Sequence, residues 1–426
     1  LRAYCQQAVC SPSRSSLLTG RRPDTTGIYE LETHFRKNLP DVVTLPQLFK
    51  NNGYVTTGLS KIYHGTLDDA DSWSIPSWNP GHAAAWNTPE NAQIAQSKAD
   101  GIRAGGWRVK PPPGKPGTRG PAWEMPDVPD SELPDGKTAD TAIRAIQTLK
   151  SRPFFLATGF LKPHLPFIAP KRYFDLYPKE KIRVTDFEPP PENAPPIAFH
   201  NFGELRNYGD IPASGPVSEE KARELVRAYR ASITYTDAQI GRVIDELDRL
   251  KLRDSTIVIV WGDHGYHLGN HGLWAKHSNF ERATHVPLII SVPGQPSSGK
   301  TTEALTEFVD ISPTLTELCG LKLPNGLEGT SFVPIIENPK RKWKTAAFSQ
   351  YPRPTPAGRA MGYSMRTSQY RYTEWITEDR KIVAQELYDY KNDPDERINR
   401  ASFPDNAKLV AKLSEQLKAG WKAARP

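Results

Sequence analysis

A cysteine, a proline and an arginine lie close together near the start of the chain, in the sequence Cys10-Ser-Pro-Ser-Arg14. A cysteine in this position can be a buried structural thiol, a metal ligand or a reactive nucleophile. The metal-ligand interpretation has little support, because no group of cysteines and histidines at zinc spacing surrounds Cys10. The chain has three cysteines, Cys5, Cys10 and Cys319, which is too few for a disulfide scaffold, although a Cys5–Cys10 bridge is sterically conceivable.

Six further polar residues follow predicted strands, where α/β sheets place their chemistry: Lys61, His64, His164, Asp263, His264 and Lys276. Oxygen ligands suit a hard cation, and cationic donors suit a tetrahedral oxyanion. Each residue alone can also be a solvated surface charge or a loop contact. The glycine-rich stretch WGDHGYHLGNHGLW (261–274) is harder to explain by packing alone, and we favour supporting hydrogen bonds for His267 and His271.

Composition limits the class of protein. The chain has 426 residues, enough for two or three domains, with 37% hydrophobic and 24% charged residues, as in soluble globular proteins. Its net charge of +7 indicates an anionic partner. The lysines and arginines are scattered rather than gathered in dense tracts, which argues against a nucleic-acid binder. No apolar run approaches the roughly 18 residues of a membrane span.

The chain alternates short apolar strands with amphipathic helices, a pattern that favours a parallel α/β sheet. Strands are predicted at 55–64, 153–160, 255–265 and 284–294, the third of them buried. Helices are predicted at 44–54, 138–151, 219–251 and 309–321. Two segments, 105–137 and 186–217, are rich in proline, glycine or both and are predicted to be long surface excursions.

The character of the sequence changes after about residue 338. Strand-like pieces occupy 362–376 and 386–390, and an amphipathic helix closes the chain at 405–421. We therefore predict a large domain over 1–338 and a small domain of sheet and helix over 339–426.

Cys-x-Pro-Ser-Arg followed by x-x-Leu-Leu-Thr-Gly resembles the signature of type I sulfatases. The segments SKIYH, KPHLPF, ATHVPLII and MGYSMRTSQYRYTEW are similar to the iduronate-2-sulfatase branch of that family, and ELYDYKNDPDE resembles its C-terminal domain. The resemblance implies an alkaline-phosphatase-like α/β fold. Its central, mostly parallel sheet would be flanked by helices, with a smaller C-terminal antiparallel sheet and helix.

The resemblance also implies that a formylglycine-generating enzyme oxidises Cys10 to formylglycine, which becomes the nucleophile as its hydrate. One hydroxyl of the hydrate attacks sulfur and the other allows sulfate to be eliminated. Arg14, on the same helical face, would hold the hydrated aldehyde. Asp263 and His264, with Cys10, would bind a calcium ion.

The remaining roles follow from the same resemblance. Lys61, His64 and Lys276 would grip the sulfate as negative charge develops. His164 would protonate the leaving alkoxide, because an imidazole titrates near neutral pH. Asp69, in LDDADSW, would touch the sugar.

One departure concerns the metal site. Sulfatases of this type also use a paired Asp-Asp from a first strand upstream of the cysteine, whereas Asp68 and Asp69 lie downstream of Cys10 here. Asp263 alone would leave calcium short of its six or more oxygen ligands. We therefore expect the given chain to lack the first strand of the sheet.

The expected reaction is hydrolysis of a sulfate ester on a sulfated saccharide, with a 2-O-sulfated uronic acid as the first substrate choice. Two alternatives remain: a phosphonate or phosphate monoester hydrolase of the same superfamily, and a catalytically dead protein that binds sulfated glycans. The absence of an Asn-x-Ser/Thr sequon favours an exported bacterial protein, periplasmic or extracellular, over a glycosylated lysosomal one. No leader peptide can be read from this sequence.

Overall fold

A computed structural model describes residues 2–80, 120–184, 189–356 and 358–426 as a mixed α/β fold. In chain order, its described α-helices are Cys10–Thr19, Pro23–Thr26, Leu45–Asn51, Pro134–Leu149, Lys171–Phe174, Gly203–Arg206, Glu219–Arg249, Glu281–Thr284, Ile311–Leu318, Val333–Glu337 and Ala407–Ala423. The helices predicted at 44–54, 138–151, 219–251, 309–321 and 405–421 are confirmed.

The described strands are Arg2–Tyr4, Val55–Ser60, Trp123–Glu124, Phe154–Gly159, Phe167–Ile168, Val258–Trp261, His267–Leu268, Trp274–Ala275, His285–Val286, Leu288–Ser291, Leu305–Glu307, Ala346–Thr355, Gly358–Thr367, Tyr370–Thr377 and Ile382–Asp389. All four strands predicted for the large domain are present, the last of them as two short pieces.

Strand pairing in the large domain is both parallel and antiparallel. Val55–Ser60 runs parallel to Phe154–Gly159. Arg2–Tyr4 pairs in parallel with Leu305–Glu307 on one side and antiparallel with a short strand, residues 285–286, on the other. Residues 258–261 pair antiparallel with residues 288–291. Lys61, which follows residues 55–60, and His264, which follows residues 258–261, both contact the sulfur of Cys10.

The strand Val258–Trp261 is only partly buried along its length, so the prediction of a fully buried strand at 255–265 is wrong. Its partner strand also carries an exposed apolar residue, Ile289, at 65% exposure. Valine and isoleucine favour extended backbone whether or not they are fully buried, so their presence predicted the strand but not its burial.

The Cys10–Thr19 helix is buried over all ten of its residues. Leu17 and Leu18 pack into an apolar core with Phe35, Phe49 and Ile311. The helix ends at Gly20, whose left-handed φ of 65° favours glycine. Because the whole helix is buried in the core, the position of its first residue, Cys10, is fixed by packing.

The two proline-rich segments carry more structure than predicted. Residues 105–119 and 186–188 lie outside the described residues. The rest of the first segment contains the strand Trp123–Glu124 and the start of the Pro134–Leu149 helix. In the second, Leu205, Tyr208 and Ile211 are all at most 2% exposed. The prediction of surface excursions is therefore wrong here, because proline fixes φ without excluding a segment from the core.

The C-terminal part is a four-stranded antiparallel sheet in which consecutive strands pair, from Ala346–Thr355 to Ile382–Asp389. The Ala407–Ala423 helix packs on this sheet through Leu413, which shares an apolar cluster with Met365 and Tyr372. The sheet and the closing helix are present as predicted, but the piece at 362–376 belongs to two strands and the strand Ala346–Thr355 was not predicted. The domain boundary at residue 338 remains a prediction. Among the described residues, no helix combines the length and apolarity that a bilayer crossing needs.

Candidate active site

Cys10 is the first residue of its helix and is 2% exposed. Its Sγ lies 3.3 Å from Nε2 of His264 and 3.5 Å from Nζ of Lys61. Val9, which precedes the helix, supplies no side-chain cap, so the helix N-terminus presents its partial positive charge beside the thiol. Three residues selected from separate segments of the sequence therefore meet at one sulfur atom.

The surroundings of Cys10 favour a negative charge on its sulfur. Burial alone would raise the pKa of the thiol, but the positive charges of Lys61, Lys276 and His264 outweigh burial and hold the pKa well below its usual value. Cys5 shows the contrast, since burial raises the pKa of its thiol. Of these two buried cysteines, Cys10 has the electropositive environment of a reactive residue.

Arg14 contacts residues that follow two strands. Its Nε donates to Oδ2 of Asp263 at 2.8 Å, and its Nη1 donates to the carbonyl oxygens of Lys61 and Ile62. Burial would raise the pKa of the Asp263 carboxyl, but the Arg14 guanidinium holds that pKa well below its usual range. Arg14 was expected to hold the hydrated aldehyde directly. In the structure its guanidinium bonds the backbone after one strand to the carboxylate after another, and its contact with the hydrated aldehyde remains a prediction.

Cys10, Asp263 and His264 form a group of possible metal ligands, with one donor atom from each residue within 4.8 Å of the others. These residues do not fit calcium by themselves. Calcium takes six to eight oxygen ligands, whereas this group offers one carboxylate, one imidazole and one sulfur. The carboxylate is also bonded to Arg14. Asp263 and His264 can supply only part of a calcium site, and we derive no chemical step through a metal ion.

Glu204, a partly buried carboxylate that the sequence did not single out, contacts the remaining cationic residues of the site. Its Oε1 accepts from Nζ of Lys276 at 2.7 Å and lies 3.3 Å from Nε2 of His164. Its Oε2 lies 2.9 Å from Nε2 of His277. Burial would raise the pKa of the Glu204 carboxyl, but Lys276 and His277 hold it well below its usual range. Glu204 falls in the segment taken for a surface excursion, so no sequence signal marked it.

Lys276 lies in a turn with unusual backbone geometry. The residues on either side of it, Ala275 and His277, both have a φ of 70° although neither is glycine. Such conformations cost roughly 1–3 kcal/mol each and persist where surrounding contacts impose them. The backbone N–H of His277 donates to the carbonyl of Ala8, and its Nδ1 lies 2.6 Å from the hydroxyl of Tyr351. The turn is thus fastened to the segment that leads into Cys10.

His164 is neutral at physiological pH in this structure. Its Nδ1 donates to the carbonyl of Leu165 at 2.6 Å, so Nε2 is the acceptor nitrogen and faces Nζ of Lys276 at 3.5 Å. Burial, together with the charges of Lys61 and Lys276, lowers the pKa of His164 to about 3. The surroundings of His164 in the free protein thus oppose the protonated form that its expected role as an acid requires. It can act as an acid only if an anionic ligand first offsets the neighbouring positive charges.

Asp69 and His64, which the sequence also indicated, have different surroundings. Asp69 is 2% exposed, and its two oxygens accept from Nε and Nη2 of Arg36, with a further bond from Ser72. A carboxylate so enclosed is not available to a sugar, which corrects the expected role of Asp69. His64 lines a small recess beside the Cys10 helix, together with Arg14 and Tyr63.

Comparison with known proteins shows which proteins the chain is similar to. The family model described as Sulfatase matches residues 2–321, and the model described as N-sulphoglucosamine sulphohydrolase, C-terminal, matches residues 269–423. The chain is 34% identical to human iduronate 2-sulfatase over 92% of this chain and 82% of the human protein. It is 31% identical to a sulfatase of Formosa agariphila, over 99% of this chain and 80% of the bacterial protein.

Among solved structures, the phosphonate monoester hydrolase of Agrobacterium radiobacter superposes with a TM-score of 0.76 at 22% identity. The superposition covers 99% of this chain and 88% of that enzyme. At this identity the likeness shows the fold alone, and it confirms the α/β architecture expected of the chain.

Proposed function

Because the chain belongs to the sulfatase family and is a sulfuric ester hydrolase, we propose that Cys10, oxidised to formylglycine, is its nucleophile. We further propose that the substrate is a sulfated saccharide carrying a 2-O-sulfated uronic acid or a related unit. The modification would be made by a formylglycine-generating enzyme, which is then a partner of the chain during maturation.

The observation that carries this proposal is the meeting of Lys61 and His264 at the sulfur of Cys10, at the positive end of a buried helix. The same site suits an aldehyde hydrate, because both neighbours can hydrogen-bond to oxygens placed near the present sulfur position. The hydrate supplies one hydroxyl for attack on sulfur and a second whose deprotonation releases sulfate.

The chain's own residues would hold the sulfate group and the leaving oxygen. Lys61 and Lys276 would bind the sulfate oxygens as charge develops in the transition state, and His64 would add a contact from the recess beside the helix. A bound sulfate ester brings negative charge next to His164, which raises the affinity of Nε2 for a proton. His164 would then deliver that proton to the leaving alkoxide.

The substrate class is supported by the similarity to human iduronate 2-sulfatase, a protein named for the sulfate it removes. The net charge of +7 suits an anionic glycan. The similar sulfatase of Formosa agariphila is bacterial. Because a bacterial enzyme would encounter sulfated polysaccharides outside the cell, we include export from a bacterial cell in the proposal.

Calcium is implied by the family, and Asp263 with His264 would be its ligands from this part of the chain. No step of the proposed reaction depends on it here. The alternative of a phosphonate or phosphate monoester hydrolase has fold likeness alone behind it, whereas the likeness to sulfatases extends to 34% sequence identity. A catalytically dead glycan-binding protein is the second alternative.

The proposal is tested by turnover with protein co-expressed with a formylglycine-generating enzyme. The substrates are a 2-O-sulfated uronic-acid disaccharide and an aryl phosphonate monoester, assayed side by side. We expect release of sulfate from the disaccharide, its loss in Cys10→Ala and its retention in the matched control Cys319→Ala. Faster cleavage of the phosphonate would favour the first alternative. Binding of the disaccharide without turnover by aldehyde-containing protein would favour the second.

A further inference from the structure

We propose that Glu204 is a positioning residue that holds Lys276 and the turn around it close to Cys10. It thereby fixes where the positive charge of Lys276 lies in the sulfate site. The inference rests on the proposed function for the identity of the anion. It assigns a role to a residue in the proline-rich segment 186–217, which no sequence pattern connects with the site.

The two oxygens of Glu204 hold two consecutive residues. Oε1 accepts from Nζ of Lys276 at 2.7 Å, and Oε2 pairs with Nε2 of His277 at 2.9 Å. Because one carboxylate grips both side chains, it restrains the direction of the lysine and the rotation of the backbone beside it. The lysine is 2% exposed, so water offers little alternative to this partner.

The turn itself needs such support. Ala275 and His277 both adopt a left-handed backbone, with a φ of 70°. The His277 N–H is bonded to the carbonyl of Ala8, two residues before Cys10. Loss of the contact between Glu204 and His277 would therefore weaken the connection between the Lys276 turn and the start of the Cys10–Thr19 helix.

A carboxylate next to an anion site is unfavourable unless it is needed for something else, because it repels the incoming sulfate. Glu204 lies beside Lys276 and is 3.3 Å from Nε2 of His164. If it were only a counter-charge, its removal would strengthen sulfate binding. If it positions Lys276, its removal weakens sulfate binding although a negative charge is lost. The two explanations therefore predict changes in sulfate affinity of opposite sign when Glu204 is removed.

The test uses the full chain in a Cys10→Ser background, where the result does not depend on maturation or on a thiolate. Binding of inorganic sulfate is measured by isothermal titration calorimetry for Glu204→Ala, for Glu204→Gln and for a matched control. The control is Glu224→Ala, which removes a carboxylate that pairs with Lys179 and Lys221. We expect Glu204→Ala to weaken sulfate binding about tenfold and Glu224→Ala to leave it unchanged.

The aldehyde-containing enzyme gives a second readout. A misplaced cationic group lowers kcat, and displacements of about 1 Å cost on the order of 100-fold. We expect such a loss in kcat for Glu204→Ala, with a smaller change in KM. In a Lys276→Met background the same substitution is expected to change kcat less than about threefold, because the residue it acts through is gone.

Sulfate binding that is unchanged or tighter in Glu204→Ala would overturn the proposal and make Glu204 a counter-charge. Should Glu204→Ala fail to fold, as judged by near-ultraviolet circular dichroism, Glu204→Gln decides. It keeps the size of the side chain but replaces one of the two acceptor oxygens with an NH2 group, so it must still weaken sulfate binding. Failure of the proposed function shows itself separately, as aldehyde-containing wild-type protein that does not turn over sulfate esters while the Glu204 variants still differ in sulfate affinity.

Discussion

The Nζ atom of Lys61 lies 3.5 Å from the Sγ atom of Cys10, although the two residues are 51 positions apart in the chain. This ammonium is the largest of the charge effects that lower the pKa of the thiol against the opposing effect of burial. The contact joins the first turn of a helix to the loop after a strand. It favours a negative charge on the side chain of Cys10 before any modification.

Replacing Lys61 with methionine tests this contact in the unmodified protein. We expect Lys61→Met to raise the pKa of the Cys10 thiol by about 1 to 3 pH units, the usual effect of removing an adjacent opposite charge. Thiolate absorbance followed against pH measures it, with Cys10→Ser as the blank. The same substitution at Lys50, which bonds to the carbonyl of Asp71 elsewhere, should leave the curve in place. An unmoved curve in Lys61→Met would show that the lysine does not set the charge of the sulfur.

The Arg14–Asp263 pair is expected to matter for stability as well as for geometry. Arg14→Met leaves the Asp263 carboxylate enclosed without its main partner, so the free energy of unfolding should fall by about 3 kcal/mol. Adding Asp263→Asn removes the stranded charge and should restore part of that loss. Urea unfolding measures both variants.

The control for this pair is Arg2→Met, because Arg2 pairs with the exposed Glu303. Exposed pairs contribute about 1 kcal/mol or less. If Arg2→Met and Arg14→Met lower the free energy of unfolding by the same amount, the Arg14–Asp263 pair has no special structural role.

His164 is expected to make the protein sensitive to acid. Its pKa is about 3 in the folded protein and about 6.5 in the unfolded chain. The unfolded state therefore binds the proton more readily, and stability is lost as the pH falls from about 6.5 toward 3. Above pH 6.5 the group is neutral in both states and has no effect. Denaturant unfolding at several pH values should show a smaller acid loss in His164→Asn than in wild type. The same substitution at the half-exposed His34 should not reduce that loss, and equal slopes in all three proteins would contradict the assignment.

Asp69 is expected to act in folding rather than in substrate binding. Asp69→Asn weakens charged hydrogen bonds to Arg36, so the free energy of unfolding should fall by about 2 kcal/mol while KM for the sulfated disaccharide stays the same. Asp71→Asn is the matched control, since Asp71 lies 3.6 Å from the same guanidinium but is largely exposed. A raised KM without a loss of stability in Asp69→Asn would restore the sugar contact that the sequence indicated.

The sequence indicated several residues of the candidate site because the residues that could do chemistry follow predicted strands or begin a helix. Cys10, Lys61 and His264 each stand at such a point, and the structure brings Lys61 and His264 within hydrogen-bonding reach of the Cys10 sulfur. Periodicity also predicted the long helix Glu219–Arg249. These features depend on local pattern, which a single sequence displays.

The contacts that were missed are long-range. Arg14 was placed correctly on the face of Cys10, but its carboxylate partner lies 249 positions away. Glu204 sits in a proline-rich segment whose local preferences say nothing about where it folds back. The pKa of His164 depends on two lysines, Lys61 and Lys276, from other parts of the chain. Pairings of this kind are set by tertiary packing, which pattern and propensity do not encode.

The identity of Cys10 after maturation is the most direct test of the account. Trypsin cleavage after Arg2 and Arg14 yields the peptide 3–14, which contains both Cys5 and Cys10. Tandem mass spectrometry of this peptide, from protein co-expressed with a formylglycine-generating enzyme, can assign each side chain. We expect an aldehyde or its hydrate at Cys10 and an unchanged thiol at Cys5. Two unchanged thiols, in a culture where a control sulfatase is converted, would contradict the assignment of Cys10 as the nucleophile.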